Sequence, residues 1–261
     1  MYNFLVQSYS TYKGLFYWLQ WMSYVSNVIL YPIAYILMYS FLGRFSRDPE
    51  ASQYYALGIA GYAMAFIVVG GITQSYTRDR QLGTISFLFA SPANRLVNYL
   101  SRGVLHYPNA LLNFTFAMLG AWLIVDLNFG LVSWTSFAIA VLVIAFSLMA
   151  YAQFMGVFAI VSRNWIGVMS VGNAVLFILC GAIIPITVFP TYIGELAKIL
   201  PMTNGLFAVR ETFIGAPLSQ VSGNILREFL TGLGYLTIGF LGFVMFERVA
   251  KRRGTLELEA L

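Results

Sequence analysis

Charge is what this sequence has least of. Of its 261 residues only 10% are Asp, Glu, Lys or Arg, against 59% hydrophobic and 17% aromatic. A soluble globular domain carries about 25% charged residues, so this chain cannot clothe a water-facing surface of its own size. Cysteine and histidine are nearly missing as well. The single Cys180 excludes an intrachain disulfide, and with one histidine, His106, it excludes a zinc cage or a Cys–His nucleophile pair within one chain. No G-x-x-x-x-G-K-[ST] occurs, so no phosphate-cradling loop is present to hold ATP. No Asp or Glu is expected deep inside an apolar run, because Asp126 falls at the end of one. Ion-coupled carriers usually depend on such a buried group, which counts against them. An intramembrane serine protease would need His106 as its base, and no G-x-S-x-G elbow accompanies it.

Long apolar runs are what the chain does have. A helix crossing a hydrocarbon core of roughly 30 Å needs about 20 mainly apolar residues. Six stretches qualify, near Trp21–Leu42, Tyr54–Tyr76, Val104–Val125, Trp134–Val161, Ile166–Ile186 and Phe229–Phe246. The segments between them alternate in charge. One set holds Lys13, Arg78, Arg80, Arg95, Arg102, Arg163, Arg248, Lys251, Arg252 and Arg253 and nets +6; the other holds five basic residues and nets −1. Basic residues beside span ends mark the cytoplasmic face, which places both termini inside and makes the basic tail 247–261 a topology anchor rather than a nucleic-acid patch. Trp18 and Trp21 at one end, Trp122 and Trp134 at the other, fit aromatic belts.

No cleavable signal peptide is expected over 1–17, which lacks a basic start and an A-x-A-like site. Leu5, Tyr9, Tyr12, Phe16 and Leu19 recur at helical spacing, so this stretch reads as a helix lying in the inner interface, or as an extension of the first span. Within the spans, His106, Asn109 and Asn113 share one helix face, and Asn173 lies in the fifth. Such residues either line a substrate path or hydrogen-bond neighbouring helices. The same choice applies to Tyr31, Tyr35 and Tyr39, which share a face of the first span and either line a path or face lipid.

Two segments do not read as ordinary loops. In 77–103, Ile85, Leu88, Phe89, Leu96, Val97 and Leu100 stand at helix-like intervals around Ser91-Pro92. Proline disfavours helix in the residue before it and starts a new one well, so two short amphipathic helices meet at a corner shaped for docking into a groove. From Gly181 to Gly215, Pro185, Pro190 and Pro201 cut the chain into pieces too short to span. Ile193, Leu196, Ala197 and Leu200 suit one short helix and 202–213 a second, a re-entrant pair within 187–228. Irregular backbone at membrane depth survives only where protein or a water-filled cavity covers it.

At these two segments the chain resembles the ABC-2 family of ABC-transporter membrane subunits. The family pattern E-R-E-x-G-T-L-E-x-L-L-x-S-P-x-x-R is answered by the run from Asp79 to Arg95, including Arg80, Gly83, Thr84, Leu88, Ser91 and Pro92. A second pattern, small-Gly-x-x-x-P…P…P-x-t…R, is answered by Gly181, Pro185, Pro190, Pro201, Thr203 and Arg210. Gln81 and Ser86 depart from the first pattern and leave Asp79 as its lone carboxylate.

The resemblance implies an all-α integral membrane protein, one domain over 1–261, in the cytoplasmic membrane. It would have six transmembrane helices, an N-terminal interfacial helix, a cytoplasmic coupling helix and outer re-entrant half-helices before the last span. It implies a second copy or homologue and two cytosolic ATPase subunits that bind the ATP and Mg, with no cofactor or catalytic residue in this chain. Asp79 to Arg95 would dock the ATPase. Gly181, Pro185, Pro190, Pro201 and Arg210 would form an outer gate. Tyr31, Tyr35, Tyr39, Asn109, Asn113 and Asn173 are the candidate substrate path. The expected function is export of a hydrophobic or amphipathic drug, lipid or natural product. A lipid-linked glycan exporter of the same family is the alternative, and an ATP-independent channel or carrier stands behind both.

Overall fold

A computed structural model describes residues 8–9, 21–45, 49–83, 94–162 and 165–253. Every regular element among them is helical. The first helix, α1, runs through Trp21–Val25, a π-helical turn at Ser26–Leu30 and Tyr31–Phe45. It is followed by α2 (Pro49–Gln81), α3 (Arg95–Val104), α4 (His106–Val125), α5 (Trp134–Val161) and α6 (Trp165–Leu179). A 3₁₀ turn at Ile186–Val188 leads into two short helices, α7 (Thr191–Ile199) and α8 (Thr203–Phe213), and the chain closes with the long α9 (Leu218–Arg253).

Among the described residues, four stretches are long and apolar enough to cross a membrane: Ser26–Gly43, Ala51–Asp79, Trp134–Ile160 and Leu218–Val249. The other two of the six expected spans correspond to α4 and α6. Helix α4 has 20 residues, with His106, Asn109 and Asn113 in its first half. Helix α6 is mainly apolar yet ends after 15 residues, and Gly181 just beyond it takes a left-handed conformation (φ 75°) that bends the chain away.

Helix α5 packs against α2 and α9, and α2 packs against α1 and α4. The buried share falls from 83% of the α2 span and 67% of the α5 span to 28% in α1 and 17% in α9. The centre is therefore α2 and α5, with small side chains such as Ala56, Ala60, Ala145 and Ala152 wholly buried where the helices meet. The other helices present broad apolar faces outward, as a protein with lipid for solvent does: Leu226, Leu230, Leu233 and Leu241 of α9 are all exposed.

The last helix begins eleven residues earlier than the expected Phe229 start, which changes the reading of one acid. Glu228, read from sequence as a loop charge, is 0% exposed inside α9. Glu228 therefore lies inside the apolar stretch Leu218–Val249 and not in a loop.

Candidate functional site

The polar residues concentrate at two levels of the bundle, one around α3 and one around α7 and α8. Helix α3 is capped by Asn94, whose side chain accepts from the Leu96 N–H at 2.9 Å, a standard N-cap. The helix expected to follow Ser91-Pro92 thus begins at Arg95, three residues past the proline. The face that α3 buries is also not the one its hydrophobic spacing points to. Asn98, Tyr99, Ser101, Arg102 and Gly103 are buried, whereas Leu96 is exposed and Val97 and Leu100 are half-buried.

Polar bonding explains this inversion. The buried Arg102 guanidinium pairs with Asp79 near the end of α2, donates to the Ser75 carbonyl at 3.1 Å and lies 4.5 Å over the Tyr76 ring. Tyr76 donates to Gln153 Oε1 on α5 at 2.7 Å, and Gln153 Nε2 donates to the Tyr99 carbonyl at 2.6 Å. The Tyr99 ring meets Phe240 and Phe243 of α9, with centroids 5.7 and 5.8 Å away. Burial pushes the Tyr99 phenol up, so it stays a neutral donor. Missing side chains make the fit possible: a Cβ on Gly156 would run into the Tyr76 ring, and one on Gly239 into the Tyr99 hydroxyl. At the rim, Arg95 Nε lies 2.7 Å from Glu247 Oε2 on α9, and Lys251 donates to the other oxygen. Helix α3 is therefore bonded at once to α2, α5 and α9.

Of the expected docking residues, Asp79 lies in α2 rather than in a loop and is engaged by Arg102, and Arg95 is engaged by Glu247. Gly83 ends the α2 turn with φ 67°. Thr84, Leu88, Ser91 and Pro92 lie outside the described residues, as do the Arg80 side chain and most of 1–17.

At the other level the expected gate residues converge. Gly181 and Arg210 meet: Arg210 Nη2 donates to the Gly181 carbonyl at 2.8 Å, to Ala182 and Tyr54 carbonyls at 3.3 Å, and covers the Tyr54 ring at 3.5 Å. Tyr54 donates to the same Gly181 carbonyl at 2.9 Å. Gly58 on α2 leaves room, since a Cβ there would overlap the Ala182 carbonyl. Burial lowers the Arg210 guanidinium to about 10, which leaves it cationic at neutral pH. Pro190 precedes the first turn of α7, and Pro185 the 3₁₀ turn. After Pro201, Met202 adopts φ 76°, a left-handed conformation uncommon outside glycine. That turn delivers the start of α8 to Glu228, which accepts from Met202 N at 2.6 Å, from Gly205 N at 2.9 Å and from the Ser147 hydroxyl of α5.

The sequence reading missed Glu228 as a site residue. Its signal was its spacing from Phe229, where a single acid borders an apolar run. Its backbone partners lie 23 and 26 residues earlier, and Ser147 lies 81 residues earlier.

The candidate path residues separate. Asn109 accepts from Tyr24 at 3.0 Å, and Asn113 donates to the Asn27 and Val28 carbonyls at 3.1 and 3.3 Å, inside the π-helical turn. A π turn disturbs the regular carbonyl ladder, and Asn113 supplies a donor there, so these two serve helix contact. Tyr31, Tyr35 and Tyr39 remain half-buried in a continuous aromatic strip: Tyr31 stacks on Phe66 at 4.6 Å, Tyr35 meets Tyr62 at 6.3 Å, and Tyr39 meets Phe177 of α6 at 6.0 Å. Asn173 sits one turn before Phe177, is 4% exposed, and neither end of its amide has a partner among the described residues.

Helices apolar enough to cross, short helices at one end and an amphipathic helix welded to the other define a helical membrane protein. The family model described as ABC-2 type transporter matches residues 6–214. The chain belongs to that family and is a transport subunit, not itself a catalyst. No curated protein sequence matches it significantly.

Proposed function

We propose that the chain is the membrane-spanning subunit of an ATP-driven exporter for a hydrophobic or amphipathic cargo. In this reading α4 and α6 complete six crossings, both termini are cytoplasmic, and two copies or homologues stand side by side in the cytoplasmic membrane. Two cytosolic ATPase subunits hold the ATP and Mg that this chain, without a P-loop, has no motif to bind.

The observation that carries the reading is the inverted amphipathicity of α3. Its polar face is locked into α2, α5 and α9, which leaves Leu96 exposed and Val97 and Leu100 half-buried on the opposite side. An apolar stripe on a rigid helix suits a partner's groove. A push on it would move three helices as one body, and packed helices transmit such shifts without absorbing them. The aromatic strip from Tyr31 to Phe177 would form the path wall, with the Asn173 amide as its polar contact. The turn from Gly181 through α8 would cap the exit. Buried Glu228 does not revive ion coupling, because backbone amides and Ser147 already occupy its carboxylate.

A lipid-linked glycan is the second reading, favoured by the tyrosine-rich wall, since such rings stack on sugars. The test is reconstitution. The purified chain alone should neither hydrolyse ATP nor move cargo, and co-expression with its ATPase should restore both. Transport by the isolated chain down a gradient would point to a channel or carrier instead. Comparing amphipathic drugs with undecaprenyl-linked sugars as stimulators of ATP hydrolysis separates the two cargo classes.

A further inference from the structure

Asn173 is buried in α6 with its amide nitrogen and its carbonyl oxygen both unmatched among the described residues. Other buried amides are engaged: Asn109 and Asn113 bond α1, and Gln153 bonds Tyr76 and the Tyr99 carbonyl. A side-chain amide carries two donors on nitrogen and an acceptor oxygen. Enclosing all of them without partners is costly, and a hydrocarbon core holds no water to satisfy them.

The depth of this amide follows from the residues one turn to either side of it on the same face of α6. Met169 sits against α2 at Gly70, where a Cβ would come within 3.3 Å of its sulfur. Phe177 sits against α2 at Tyr62, with ring centroids 4.6 Å apart. Asn173 lies midway between them and so stands level with Phe66, close to the middle of the Ala51–Asp79 stretch. At that level Tyr31 of α1 stacks on Phe66 at 4.6 Å, and the Tyr35 ring follows 4.3 Å from Tyr31. No Asp, Glu, Lys or Arg occurs in 21–43, 51–77 or 165–179. Ionisable groups from other helices reach α2 elsewhere, Arg210 at Gly58 and His106 at Gly71. Those positions are about two turns to one side of Phe66 and more than a turn to the other.

We propose that Asn173 sets the specificity of the path. It recognises an uncharged planar group with a donor and an acceptor on one edge, an amide, lactam or imide, on a cargo whose apolar body lies against Tyr31, Tyr35 and Phe66. Two such edges pair through parallel hydrogen bonds, and no charged side chain stands at this level to receive an ion. A hydroxyl-rich sugar would leave most of its own polar groups unmatched there. Helix α1 is buried over only 28% of its span and meets α6 edge-on through Tyr39 and Phe177, so parting these two rings admits the guest. The assignment rests on the exporter reading, whose cargo it narrows, but binding itself needs only the membrane chain.

The probes are pyrene-1-carboxamide and methyl pyrene-1-carboxylate, which share a flat fluorescent body. The ester keeps an acceptor and lacks both donors. The full chain in detergent is titrated with each, and the saturable change in pyrene emission is read. The carboxamide should bind on the order of tenfold tighter, which is what one or two buried hydrogen bonds supply. Asn173→Leu, which removes an unmatched polar group and should fold at least as well, should bring the two probes to parity. Tyr31→Leu should weaken both alike and leave their ratio unchanged. Equal affinities in the unaltered chain, a preference that survives Asn173→Leu, or no saturable binding would each overturn the proposal. The assembly with its ATPase separates this failure from that of the exporter reading. If both probes stimulate ATP hydrolysis alike, the Asn173 assignment falls and the exporter stands. If the preference is present but the assembly neither hydrolyses ATP nor moves cargo, the exporter reading falls and the Asn173 site stands.

Discussion

The two polar levels of the molecule neutralise buried charge in opposite ways. Around α3, a side chain answers a side chain: Arg102 meets Asp79, and Arg95 and Lys251 meet Glu247. Around α7 and α8 the backbone answers instead. Glu228 sits on the amides at the start of α8, where the helix dipole is positive, and Arg210 sits on the carbonyls that follow the end of α6, where it is negative. The first arrangement ties helix sides together and can travel as a unit. The second pins helix ends, and moving such an end strands a whole charge. In the proposed function, the first region would transmit displacement and the second would hold its position until its charge contacts are replaced.

The sharpest break in that comparison is at Glu228. Glu228→Ala should lower stability by about 2–6 kcal/mol, because the buried Met202 and Gly205 amides each lose their acceptor at about 1–3 kcal/mol. Glu228→Gln keeps one acceptor and should cost about 1–3 kcal/mol. Both are read as loss of thermal stability in detergent; an unchanged alanine variant would remove the helix-end account.

Arg102→Ala comes next, at about 1–3 kcal/mol, since Asp79 is left with partial access to water. If the charges act as a pair, a double-mutant cycle with Asp79→Asn should show a coupling of about 0.5–3 kcal/mol. Additive losses would deny it.

Gly239→Ala should cost about 1–3 kcal/mol by overpacking. Tyr99→Phe should relieve part of that cost by removing the hydroxyl the new methyl meets, leaving the contact with Phe154 Cα at 3.0 Å. No suppression would mean that the joint is looser than its packing implies.

Smallest in stability is Arg95→Glu. Its side chain is 54% exposed, and pairs of that kind contribute about 0.2–1 kcal/mol. Its expected effect is on transport, which should fall and then recover in the charge-exchanged Arg95→Glu, Glu247→Arg protein. Undiminished transport by the single variant would show that the α3–α9 contact carries no movement.

Legibility followed the range of the interactions. The short helices α7 and α8 were readable because Pro185, Pro190 and Pro201 act on their own neighbours. The α3 helix was readable as a helix, but not its buried face. Leu96, Val97 and Leu100 made the obvious stripe, and what overrode it was a set of partners at Asp79, Gln153 and Glu247, far apart in sequence. Asn109, Asn113 and Asn173 were indistinguishable by composition. Only packing separates the two that bind α1 from the one whose amide is unmatched among the described residues. Glu228 was misread because an acid beside an apolar run resembles a loop boundary, while α9 in fact begins at Leu218.

The central claim is that the outward stripe of α3 is gripped by an ATPase in the cytosol. Cys180 is the chain's one cysteine, so a Cys180→Ser background carrying Leu96→Cys offers a single thiol for crosslinking in intact cells. The account predicts that this thiol crosslinks to a polypeptide bearing a nucleotide-binding P-loop and resists membrane-impermeant reagents applied outside. Labelling from outside, or a stripe that touches no other protein in the intact assembly, would contradict it.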